Sequence, residues 1–112
     1  MGEKVVIPIN VSVSPSSTRV TTLYTVPDAK VLKLKKIELH FPSGVSFDLT
    51  FVLLYGNMQV YPATGSVTGS DTPHVNEIDV TYFSGDQVKC RVTNSNTTET
   101  LRVVGTLEGE LE

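Results

Sequence analysis

Few side chains in this 112-residue chain are equipped for chemistry, and they are scattered. Two histidines (His40 and His74), one cysteine (Cys90) and four tyrosines make up most of the set. His74 has Asp71 and Glu77 close to it in sequence, with Asp79 two residues further on. These groups would have to ligate a cation from one loop. Their spacing lacks the H-x-E or H-x-x-x-H regularity of zinc sites. The glycine and carboxylate positions of a calcium loop are also absent. A cupin-type centre needs a histidine-rich strand pair, which two isolated histidines do not make. No metal and no other cofactor is expected.

Covalent catalysis fares no better. The chain has no G-x-S-x-G elbow, no P-loop and no dinucleotide fingerprint. Cys90 sits between Val88 and Val92 in an alternating run, the position of a small buried hydrophobe. A reactive thiol wants an exposed, electropositive setting, and Lys89 and Arg91 would point to the opposite face. As the only cysteine, Cys90 has no partner for an intramolecular disulfide. Carboxylates for glycoside hydrolysis would come from Glu38, Asp48 or Asp79, all on polar strand faces where solvation is the ordinary role. His40 shares the parity of Lys36 and Glu38 and is expected to face solvent. The chain is expected not to be an enzyme.

Two features suit binding. The tyrosines Tyr55 and Tyr61 flank a Gly56-Asn57 turn and a long loop. There they could stack on sugars or anchor an interface, with Asn57 at the turn. Tyr24 and Tyr82 share the parity of core residues. The second feature is basic: Lys30, Lys33, Lys35 and Lys36. If the third, seventh and eighth strands are neighbours, Lys89, Arg91 and Arg102 extend this patch. Such a surface could contact an acidic partner. Its plainer role is to blunt a strand edge against pairing.

The elements that must position these groups are strands. Val45, Phe47, Leu49, Phe51 and Leu53 alternate with polar residues, and a period of two puts them on one sheet face. Eight strands are expected: Lys4–Val13, Thr18–Val26, Val31–Phe41, Val45–Tyr55, Met58–Tyr61, Glu77–Phe83, Gln87–Thr93 and Thr100–Glu110. In the second, Val20, Thr22, Tyr24 and Val26 share a side. In the first, Pro8 marks an edge strand or a bulge. In the third, Leu32 and Leu34 hold one parity while Ile37, Leu39 and Phe41 hold the other. One extra residue at Lys35-Lys36 restores a common face, the mark of a β-bulge. Residues 63–73 form the longest loop, and the acidic end is expected to fray. A single all-β domain follows: an eight-stranded antiparallel β-sandwich, jelly-roll-like. A seven-strand immunoglobulin-like sandwich is the rival; its Cys…Trp…Cys signal is missing.

With 9 Lys and Arg against 12 Asp and Glu, the net charge is -3. That argues against nucleic acid, which needs a concentrated positive field. No apolar run approaches the ~18 residues that span a membrane, and no secretory signal is evident. A cytoplasmic or virion location is expected.

The segment Leu23-Tyr24-Thr25-Val26-Pro27-Asp28-Ala29-Lys30-Val31-Leu32-Lys33-Leu34-Lys35-Lys36-Ile37 resembles a strand–turn–strand of small jelly-roll or β-sandwich virion proteins of tailed phages and related viruses. Their turn often runs Pro-Ala-Gly-Lys; here it is Pro-Asp-Ala-Lys. Ser84-Gly85-Asp86-Gln87-Val88, with Asn94 and Leu101 to Gly105, is similar to their closing hairpins. The resemblance covers about a third of the chain and carries over no catalytic residue. It implies a head-decoration or tail-associated component. The expected function is thus non-enzymatic and structural: a homo-oligomer, expected to be a trimer, docked on a capsid or tail. The alternative is a carbohydrate-binding module that holds glycan on Tyr55 and Tyr61.

Overall fold

The computed structural model describes residues 2–41, 48–62, 64–68 and 73–112. These form nine strands and no helix. They are β1 (Glu3–Val13), β2 (Ser17–Thr25), β3 (Leu32–His40), β4 (Leu49–Tyr55), β5 (Met58–Tyr61), β6 (Val67–Thr68), β7 (Pro73–Tyr82), β8 (Gln87–Asn94) and β9 (Leu101–Leu111). The ninth strand is β6, two residues inside the stretch expected to be loop. Val45, Phe47 and Asp71 lie outside the described residues.

One sheet runs β1-β9-β3-β7 and the other β2-β8-β4-β5, with β6 on the same flank of β4 as β5. All pairings are antiparallel. Counting β5 and β6 as one interrupted strand gives eight. The chain then changes sheet at every connection except the β4–β5 hairpin. That is the jelly-roll order, two Greek keys wrapped over one core. Pro8 lies on β1, an outermost strand, where a missing N–H leaves no ladder bond unmade.

The core is the inner parity of both sheets. Ile7, Ile9, Val11 and Val13 of β1 face it, as do Leu49, Phe51 and Leu53 of β4 and Val88, Cys90 and Val92 of β8. Each large aliphatic or aromatic side chain buried here contributes roughly 1.5–3 kcal/mol. The expected bulge is present. Leu34 pairs with Gly109 and Lys36 with Glu108, so two steps along β3 match one along β9. Leu32, Leu34, Ile37 and Leu39 are consequently all fully buried.

A second irregularity corrects the expectation for Val20. Thr22 pairs with Lys89 and Tyr24 with Val88, again two steps against one. The extra residue, Leu23, reverses the parity. Tyr24 and Val26 face in as expected, but Val20 lies opposite Arg91 on the outer face, 55% exposed. The acidic end also differs. β9 continues to Leu111, and Glu112 exchanges two 2.8 Å backbone bonds with Val31, so the end is pinned.

Candidate interaction surfaces

The tyrosines of the hairpin region are engaged within the molecule. The Tyr55 ring stacks on that of Tyr82, with centroids 4.8 Å apart and planes 9° from parallel. Its hydroxyl donates to Asp86 Oδ2, which also accepts the Phe83 N–H at 2.8 Å. Those two donors hold the Asp86 carboxyl below its ordinary range, and the Asp86 bond, then burial, raise the Tyr55 hydroxyl. Tyr82 is fully buried and gives its hydroxyl to the Leu54 carbonyl at 2.9 Å. One face of Tyr55 is therefore closed to a sugar.

Tyr61 joins the sheets. It stands on β5, the edge of one sheet, and its hydroxyl lies 2.6 Å from His74 Nε2 on β7, the edge of the other. Asn76 Nδ2 donates to the same oxygen at 3.0 Å. His74 thus finds a tyrosine across the sandwich. His40, the register partner of Pro73, shares the outward parity of β3 and is exposed. The two histidines lie on opposite faces of one sheet. Among the described residues no group of three His, Cys, Asp or Glu could hold a metal ion. Asn57 is exposed at the hairpin tip, beside Gly56 at a φ of 60°. A positive φ at the first turn position is what a tight hairpin of this kind demands.

The three lysines of β3 are matched by acids. Lys33 Nζ lies 2.8 Å from Glu112, Lys35 3.9 Å from Asp79 and Lys36 3.7 Å from Glu108. Lys4 reaches the same Glu108 at 4.0 Å, so this carboxylate of β9 sits between cations of β1 and β3. The Lys33–Glu112 pair raises the lysine pKa and lowers the glutamate pKa, through the hydrogen bond first and the charge second. The expected continuous basic patch does not form, because β8 belongs to the other sheet. Only Arg102, on β9 beside β3, shares the face of the lysines.

Cys90 is fully buried, and burial pushes its thiol up to about 11. A thiol so placed stays protonated at neutral pH. Glu38 lies 3.6 Å from His40, and Asp48 accepts from Asn96 Nδ2 at 3.2 Å. His40, Phe41, Thr100, Leu101, Arg102 and Val104 line an open depression of about 340 Å³.

Two hubs give no strong signal in the sequence. Asn94 is the one polar residue in the buried set of the described residues. Its amide donates to the carbonyls of Val13 at 3.0 Å, Ser14 at 3.3 Å and Glu99 at 2.8 Å. Its oxygen accepts the Asn96 N–H at 2.9 Å. Asp86 is the other, tying the β7–β8 turn to Tyr55 and, through its backbone, to Val26.

Some apolar surface remains uncommitted. Met58 is 68% exposed and Phe83 56%. Both flank Tyr55: Met58 is its register partner, and Phe83 shares Asp86 with it. Compared with known families and curated proteins, the chain matches no family model and no curated sequence. The described residues contain no helix long and apolar enough to cross a membrane.

Proposed function

We propose that this protein is a non-enzymatic structural module that works by association. It self-assembles, as a trimer, and docks on a larger assembly such as a capsid or tail. The observation that carries this reading is the contrast between its polar and apolar side chains. The polar groups of the hairpin region hold strands and turns together. Met58 and Phe83 meanwhile stand exposed, Met58 as the register partner of Tyr55 and Phe83 bonded through its N–H to the Asp86 that Tyr55 also holds. Clustered apolar exposure on a small domain favours an interface. The jelly-roll order and the likeness of residues 23–37 to virion sandwich proteins point the same way. The surface that bears Met58 and Phe83, beside the Gly56-Asn57 tip, would meet the larger assembly.

Size-exclusion chromatography with light scattering tests the self-assembly. A stable species of about three chain masses is expected at micromolar concentration, and a clean monomer counts against it. Glycan-array binding that is lost on Tyr61→Ala would favour the carbohydrate alternative instead.

A further inference from the structure

The two outer faces of the sandwich differ in charge. On the β1-β9-β3-β7 sheet, every lysine has a carboxylate within 4.0 Å. On the other sheet, the registers put Thr18, Val20 and Thr22 of β2 on the outer face, beside Thr93, Arg91 and Lys89 of β8. Thr50 of β4 shares this face, with Gln59 and Thr68 beyond, whereas Val52 and Leu54 of the same parity are buried, so the open part of the face is β2 and β8. None of these is a carboxylate. The nearest acids in sequence, Asp48 and Asp86, are held by Asn96 and Tyr55. Among the described residues, neither Lys89 nor Arg91 has an ion-pair partner. The chain's net charge of -3 and the two positive charges of this face leave -5 for the rest of the molecule.

We infer that this face is the self-association surface, and that it binds the β7 edge of a second copy rather than its own counterpart. This rests on the self-assembly proposed above. Two copies joined through the same face would bring Lys89 and Arg91 against Lys89 and Arg91, and like charges in apposition oppose such a contact. The contact is therefore heterologous, and heterologous contacts close into rings when the rotation allows. The complementary patch is on β7. Val75 is 51% exposed. Glu77, of the same parity, has no ion-pair partner among the described residues. The Asp79 side chain is 87% exposed, with Lys35 only at 3.9 Å. An exposed valine with two carboxylates thus faces an exposed valine with two cations, Val20 with Lys89 and Arg91. Apolar meets apolar, and opposite charges meet around it.

Charge reversal tests this directly, read by sedimentation velocity. Lys89→Glu with Arg91→Glu in one chain, and Glu77→Lys with Asp79→Lys in another, should each give monomers. Mixing the two variants should restore association as a two-variant heterodimer, because a ring of three would force one contact between like charges. Restoration also shows that both variants are folded. If the wild type assembles and the Lys89→Glu, Arg91→Glu variant assembles equally well, this surface is wrong while the self-assembly reading stands. If the mixture stays monomeric, the assignment to β7 is overturned. A wild-type monomer overturns both.

Discussion

The Tyr61 hydroxyl and His74 Nε2 lie 2.6 Å apart, a bond that runs from the edge of one sheet to the edge of the other. Sandwich edges leave backbone groups unpaired and are sites of fraying and unwanted pairing. A polar latch there, with Asn76 as a second donor to the same oxygen, fixes how the two edges meet. Tyr61→Phe removes both bonds and keeps the ring. It should cost about 1–2 kcal/mol in urea unfolding and leave the oligomeric state unchanged.

Asn94 holds together the β1–β2 and β8–β9 connections from a buried position. Asn94→Ala strands buried carbonyls and the Asn96 N–H. The expected loss is on the order of 3 kcal/mol, measured by denaturant midpoint at constant slope. Asn94→Asp should also destabilise, because a carboxylate would face three carbonyl oxygens.

Two small-residue positions should respond in opposite directions. A side chain at Gly105 would put its Cβ 2.0 Å from the Glu38 carbonyl oxygen on the neighbouring strand. Gly105→Ala should therefore destabilise by about 3 kcal/mol or more, since backbone rather than a flexible side chain has to move. Ala29 already holds a φ of 62°, in the region that favours glycine. Relief of that strain outweighs the added freedom of the unfolded chain, so Ala29→Gly should be neutral or stabilising by up to about 1 kcal/mol. Thermal unfolding of both variants reads the contrast.

Cys90 should react with thiol reagents only when the protein opens. Its burial and raised pKa, about 11, deny it both access and thiolate character. The labelling rate at neutral pH should follow denaturant-induced opening. Fast labelling of the native protein would contradict the described core.

Acid should weaken the fold partly through Asp86 and Glu112. Both carboxyls are lowered in the folded state, Asp86 by the Tyr55 hydroxyl and Glu112 by Lys33. Their contribution is present above the unfolded values, near 3.8 and 4.5, and is lost as pH falls through the folded ones. Lys33 is raised, so its share is present below about 10.5 and is lost as pH rises through the folded value. Asp86→Asn should flatten the acid limb of a stability–pH curve, and Lys33→Met the alkaline limb.

Much of the fold was legible because one face of each strand is dry. The alternation of Ile7, Ile9, Val11 and Val13 is the core face of β1 written in sequence. The break between Leu34 and Ile37 marked the bulge, since apolar residues on both sides fixed each phase. Val20 was misplaced because Leu23 and Tyr24 are adjacent and both partly buried, which hides where the phase changes. β6 is two residues long, too short to show a period. The lysine pairs were hidden for another reason. Glu108 and Glu112 meet Lys36 and Lys33 only because the topology lays β9 beside β3, about seventy residues away in sequence. The same holds for Tyr61 and His74, whose meeting depends on which strands become edges.

The most direct test of self-assembly is small-angle X-ray scattering at rising concentration. A single chain has a radius of gyration of 14.0 Å and a mass of 12.2 kDa. The account predicts forward scattering of about three chains and a radius well above that of one. Scattering from one chain mass, with a radius near 14.0 Å at every concentration up to the millimolar range, would contradict it.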